Sequence, residues 1–171
     1  MGQADQKIIP GRYRVFPRTL CFITCGDDVL LLRGASTKSI WPDRYNGVGG
    51  HVKPDEDVFT AARREIAEET GLQVWNVQLR GVINIPVDEP DTGVLLFVFT
   101  ATASKHDLLP SEEGTPEWVP RAMVDQLNLV EDLPVLLPRV LAMGLADRPF
   151  FAQYTYDEKD QLVVTFASTT P

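Results

Sequence analysis

The chain lacks any apolar run of the length a bilayer-spanning helix needs, has only two cysteines, and carries fewer basic than acidic residues, 16 against 24. Its first residues, MGQADQKIIP, also lack the charged and apolar regions of an export signal. Together these absences point to a cytoplasmic protein without membrane partners. Cys21 and Cys25 are four positions apart in an expected strand, so their α-carbons would lie about 13 Å apart, beyond disulfide reach. The spacing is not that of a CxxC pair, and two buried core thiols are expected. A net charge of −8 argues against a sequence-independent grip on long nucleic acid, which needs an excess of Lys and Arg. It does not exclude a small phosphate ligand, because bound divalent cations invert the local field. Internal repeats, low-complexity tracts and interdomain linkers are absent too. The 171 residues, 44% of them hydrophobic, read as one domain, 1–171, that can bury a core without disulfides or a structural metal.

What the sequence does have is concentrated between Gly50 and Leu72, GHVKPDEDVFTAARREIAEETGL. Wound as a helix from Asp57 to Thr70 at about 100° per residue, Val58, Ala61, Ala62 and Ile66 form the core-facing stripe. Glu65 and Glu69 fall inside that stripe and Glu68 on its edge, while Thr60, Arg63 and Ala67 take the watery side. A carboxylate turned toward a core is costly unless it is paired or bound to a cation, and three within one turn repel one another. Clustered carboxylate oxygens are the ligands a hard divalent cation prefers. The pattern therefore predicts a metal site. A solvated Glu-rich face is the competing explanation, and it does not account for glutamates sharing a face with apolar residues.

Gly50, then Glu56 after five residues, then Arg64-Glu65-Ile66-Ala67-Glu68-Glu69-Thr70-Gly71-Leu72 after seven more, resembles a complete Nudix box. The resemblance implies a Nudix-type α/β/α sandwich with a mixed β-sheet. It also implies water attack on phosphorus that cleaves a diphosphate linkage. Mg²⁺ would be the cofactor, with Mn²⁺ as a substitute. Glu65, Glu68, Glu69 and the Gly49 carbonyl would be ligands, with one of Glu65 and Glu69 able to act as general base. Arg64 would orient the box glutamates, and Gly50, without a Cβ, would let backbone approach metal and phosphates. Glu56 has a supporting role or simply favours the helix N-terminus. A further ligand outside the box is expected from Glu112 or Glu113, with Glu113 preferred.

The surrounding pattern supplies the elements. Arg12 to Phe16 reads as a first strand or arm, and Arg18 to Thr24 with Val29 to Arg33 as a hairpin over Gly26-Asp27-Asp28. Asp55 is the expected helix N-cap and Gly71 the C-cap. Val74 to Val87 and Val94 to Ala103 read as strands, Trp118-Val119 as a brief strand, and Pro120 to Leu127 as a short helix. Leu133 to Leu145 reads as a second helix, bent or broken at Pro138. Phe150 to Tyr156 and Gln161 to Phe166 form a terminal hairpin.

Tyr45-Asn46-Gly47-Val48-Gly49-Gly50 is similar to the lead-in of the MutT-like branch, which hydrolyses oxidised purine nucleoside triphosphates such as 8-oxo-dGTP. That resemblance implies a base contact from Asn46, whose amide offers donor and acceptor side by side, and one from Asp132. Asn46 reads equally as a turn residue and Asp132 as a helix N-cap. Leu129 and Val130 stand where stacking aromatics are expected. Lys38, Arg33 and Arg44 are weaker candidates for phosphate contact. His51 reads as structural or as a site neighbour. The partner is thus a small-molecule nucleotide. Pro86, about fifteen residues after the box, keeps ADP-ribose or another nucleoside diphosphate derivative open, and a non-catalytic nucleotide sensor is a third reading.

Overall fold

Alternation along the first two strands decides the architecture. In the computed structural model, which describes residues 2, 9–36, 41–111 and 113–168, β1 runs Arg14–Cys25 and β2 Asp28–Gly34. Leu20 and Phe22 of β1 and Val29 and Leu31 of β2 face one way. Cys21, Ile23 and Cys25 with Leu30 face the other, as a period of two requires. Both faces are apolar, so each must be covered. The first is covered by α2 (Leu133–Leu141), through Leu133, Leu136, Leu137 and Val140. The second is covered by α1 (Val58–Thr70), through Ala62 and Ile66. The result is an α/β/α sandwich around a mixed sheet.

The remaining strands are β3 (Tyr45–Asn46), β4 (Trp75–Pro86), β5 (Thr92–Thr102), β6 (Gly114–Pro120), β7 (Phe150–Tyr156) and β8 (Leu162–Phe166). Their order is β3-β2-β1-β5-β4-β7-β8, with β6 on β2. β1 pairs parallel with β5, from Arg14 opposite Thr92 to Thr24 opposite Thr102, and β4 pairs parallel with β7; the other pairings are antiparallel. One edge of β2 is shared by β1 and β3, and the opposite edge takes β6. The sheet therefore splays at β2, and the stretch 47–52 crosses the opening. There Val48 exchanges backbone hydrogen bonds with Cys21, and Thr19 N–H donates to the Gly50 carbonyl.

Several expectations on boundaries are corrected. The helix N-cap is Asp57, not Asp55: Asp57 Oδ1 accepts from the Phe59 and Thr60 N–H groups at 2.8 and 3.0 Å. Gly71 at φ 72° closes α1 with its N–H on the Ala67 carbonyl, as a left-handed C-cap requires. The arm Arg12 to Phe16 merges into β1, because the parallel ladder with β5 runs unbroken past Pro17. The strand at Trp118 extends over Gly114–Pro120, tolerating Pro116 because it lies on an edge. The short helix after it is a 3₁₀ turn, Arg121–Gln126. α2 passes through Pro138 and stops at Leu141, short of Leu145. Both cysteines are buried and unbridged. Among the described residues no helix is long and apolar enough to cross a membrane.

Candidate active site

Helix α1 packs its small residues, Ala61 and Ala62, against the sheet, and this brings its next turns under the stretch 47–52. Glu69 is only 6% exposed. Its Oε2 accepts the Gly49 N–H at 3.2 Å. Glu65 lies so close beneath Gly50 that a Cβ there would fall 2.5 Å from Glu65 Oε1. At Gly49 (φ 155°) a Cβ would collide with the Thr19 carbonyl. Gly49 is thus required by close approach to backbone, Gly50 leaves room for the Glu65 carboxylate, and together they seat backbone directly on two carboxylates.

Arg64 gathers the acids. Its Nε and Nη2 donate to Glu56 Oε2 and Oε1 at 3.0 and 2.6 Å, a bidentate pair. Nη1 donates to Glu65 Oε1 at 2.8 Å and Glu68 Oε2 at 2.9 Å, and Nη2 also reaches the His51 carbonyl at 3.1 Å. These bonds lower the Glu56 carboxyl to about 2, first through Arg64 and then through the Lys53 N–H. They raise the guanidinium above its ordinary value. Glu56 therefore does more than meet a helix end: it anchors the arginine. Glu68, by contrast, is 55% exposed.

Among the described residues the acids are held by Arg64 and by backbone N–H, not already converged as a metal cage. The donor set nevertheless fits a hard divalent cation. Carboxylate oxygens of Glu65 and Glu69 lie under glycine backbone with no side chain between, and Glu68 projects beside them on the same helix. Glu113 is exposed before β6, its N–H on Ser111 Oγ, and it does not line the cavity described next. Lys38 and Glu112 fall outside the described residues.

A cavity of about 710 Å³ opens beside this segment. Gly49, Gly50, Thr19 and Arg18 line it, and the box glutamates adjoin it through the two glycines. Asn46, Asp132, Tyr154 and Tyr156 line it as well. Tyr45 ties the Asn46 segment to the stretch before α2. Its N–H and carbonyl bond to Asn128 and Val130, while its hydroxyl donates to Glu117 Oε2 at 2.9 Å. Asn46 Oδ1 accepts the Gly47 N–H at 2.8 Å, so the turn role and the cavity position coexist in one residue.

Asp132 stands at the α2 N-cap position, yet its side chain makes no cap hydrogen bond. Instead Asp132 Oδ2 accepts from the Tyr154 hydroxyl at 2.8 Å. Burial pushes the Asp132 carboxyl above the usual range, opposed by that bond. Burial and the neighbouring carboxylate likewise raise the Tyr154 phenol. Arg33 and Arg44 bond to Glu117 and Glu131 and do not line the cavity. Arg18, Tyr154 and Tyr156 were missed from sequence: a strand arginine carries no local signal, and β7 lies more than one hundred residues beyond Asn46.

The NUDIX domain model matches residues 15–140, and the chain belongs to this family. Its fold and box define a MutT-like Nudix pyrophosphohydrolase domain. It is similar to an NAD-capped RNA hydrolase NudC of Deinococcus radiodurans, 34% identical over 133 residues, covering 75% of this chain and 42% of that protein. The chain thus spans less than half the length of that relative. It is also similar to the oxidized purine nucleoside triphosphate hydrolase of Mus musculus, 25% identical over 78% of this chain and 83% of that one. Among solved structures, a mutator MutT protein from Bacillus halodurans superposes with a TM-score of 0.73 at 25% identity, covering 89% of this chain and 97% of that chain.

Proposed function

We propose that the domain hydrolyses a nucleoside triphosphate to the monophosphate and pyrophosphate in a Mg²⁺-dependent reaction, with oxidised purine nucleotides such as 8-oxo-dGTP as candidate substrates. One observation carries this reading: a single cavity is lined both by Gly49 and Gly50, which sit over the acids, and by Asn46 and Asp132. A nucleotide bound in it would put polyphosphate at the two glycines and base at Asn46 and Asp132.

A divalent cation held by Glu65, Glu68, Glu69 and the Gly49 carbonyl would supply neutralisation of phosphate oxygens and a more acidic water. Glu65 or Glu69 takes the proton of the attacking water. Arg64, tied to Glu56, positions Glu65 and Glu68. Gly50 keeps the approach to the phosphates open, and Arg18 offers them a cation. The Asn46 NH₂ is the donor left for a base, since its oxygen serves Gly47. Asp132 offers its second oxygen, since Oδ2 is engaged by Tyr154. The rings of Tyr154 and Tyr156 provide the aromatic surface that Leu129 and Val130 lack.

A second reading is favoured by Pro86, which also lines the cavity. Under it the substrate is ADP-ribose or another nucleoside diphosphate derivative. The relative named as an NAD-capped RNA hydrolase is compatible with this choice. Incubation with Mg²⁺ and a nucleotide panel separates the two. Inorganic pyrophosphate released from triphosphates supports the first, and cleavage of ADP-ribose alone into two monophosphates overturns it.

A further inference from the structure

Arg80 of β4 is only 5% exposed, yet no carboxylate lies within ion-pair distance of it among the described residues. Its two hydrogen-bond acceptors are neutral: Thr100 Oγ1 takes Nε at 2.6 Å and the Gly144 carbonyl takes Nη1 at 2.7 Å. A guanidinium stays charged, and a buried cation without a counter-ion is expensive. Burial is the chief influence lowering its pKa; Asp147 opposes it through space while its own Oδ2 accepts the Gly144 N–H at 2.8 Å.

The remaining nitrogen, Nη2, has no acceptor among the described residues. It is not sealed either, since the one sealed side-chain polar atom without a partner among them is Gln78 Oε1. Nη2 thus keeps some exposure, and Arg80 is among the residues that line a second pocket. That pocket has a volume of about 100 Å³, and Arg121, Thr24, Thr100, Thr102 and Asn76 also line it. A second arginine, three threonines and an asparagine thus share with Ala101, Val140, Leu141, Met143 and Leu145 the lining of a space of about three waters. It lies away from the nucleotide cavity: Thr100 is four residues along β5 from Leu96, which lines that cavity, or about 13 Å.

We propose that this pocket binds a small oxyanion of the phosphate class between Arg80 and Arg121. Arg80 supplies a fixed cation already desolvated and held at Nε and Nη1, which leaves Nη2 to donate. Arg121, exposed at the start of the 3₁₀ turn, closes the anion from the solvent side, and the Thr100 and Thr102 hydroxyls donate from β5. The volume admits one tetrahedral oxyanion, so any ester group would extend out through the mouth. An occupant would tie β4 and β5 to the segment following α2, and by binding only the folded chain it would stabilise it. A purely structural Arg80, tethering the Gly144 carbonyl to the sheet, needs none of this.

The test is an NMR titration of the isotope-labelled full chain with inorganic phosphate, in chelator so that no divalent cation recruits phosphate to the box. Sodium chloride at matched ionic strength is the control, and a nucleoside monophosphate forms a second arm. The expected result is a saturable shift of the Arg80 Nε–H and of the Thr100 and Thr102 amides, with affinity weakened about tenfold in Arg121→Gln. If the monophosphate binds there more tightly than phosphate, the occupant is a phosphomonoester; if less tightly, it is the free ion. Arg80→Lys, which keeps the charge but loses the fork, should weaken binding too. The proposal is overturned if those resonances do not saturate, if chloride reproduces the shifts, or if Arg121→Gln leaves the affinity unchanged.

Discussion

The two helices cover opposite faces of one sheet and are built on opposite terms. α2 presents Leu133, Leu136, Leu137 and Val140, all buried, and no charge among them. α1 buries Ala61, Ala62, Ile66 and Thr70, but it also buries Glu69 and turns Glu65 inward with its side chain 12% exposed. On α2 each inward side chain contributes about 1.5–3 kcal/mol by leaving water. On α1 two inward positions contribute nothing of that kind and must be met by Arg64 and the Gly49 N–H. α2 thus contributes burial alone, whereas α1 combines burial with the acids proposed to hold the cation.

Substitutions can break that division, and the largest effect belongs to α1. Glu69→Gln keeps an acceptor for the Gly49 N–H but removes the charge. Turnover with Mg²⁺ should fall by about 10²–10⁴-fold with the thermal midpoint near that of the parent; near-normal steady-state rates would remove Glu69 from the catalytic set. Gly50→Ala pushes a methyl group onto the Glu65 carboxylate. Because that carboxylate is the end of a flexible side chain, the fold should survive while activity drops by about 10²-fold, a split visible by comparing kcat with the melting curve.

The converse belongs to α2. Leu136→Ala should cost about 2–5 kcal/mol in chemical denaturation and leave kcat per folded molecule unchanged. A smaller loss, about 1 kcal/mol, is expected for Asp57→Ala at the α1 N-cap. The smallest effect is one of pH. Asp132 has its folded-state pKa raised by burial, so the native state holds that proton more tightly than the unfolded chain. Stability therefore falls as pH rises from the unfolded value of about 3.9 through the folded one. Asp132→Asn lacks this proton, and denaturation from pH 3 to 7 should show the variant gaining on the parent as pH rises.

The acid-bearing helix was legible from sequence because it violates a rule: Glu65 and Glu69 occupy apolar positions, and Gly71 marks the stop. Asp55 misled because two aspartates two residues apart offer the same cap chemistry, and only backbone geometry chooses Asp57. The extent of β6 was hidden by Pro116, which reads as a break unless the strand is known to be an edge. Asn46 and Asp132 could be named from the sequence, but Tyr154, the hydroxyl that binds Asp132, could not. That contact depends on β7 pairing parallel with β4, a long-range event with no local signature. Arg80 was silent for the same reason: a strand arginine becomes unusual only once its burial is known.

The decisive property of this chain is whether the acidic face of α1 takes up a cation. Titration calorimetry of the metal-stripped chain with Mg²⁺, and with Mn²⁺ in parallel, measures this without any substrate. Saturable uptake that weakens in both Glu65→Gln and Glu69→Gln is the expected result. Absence of uptake, or uptake identical in the two variants and the parent, would contradict the assignment of these inward-facing glutamates as metal ligands.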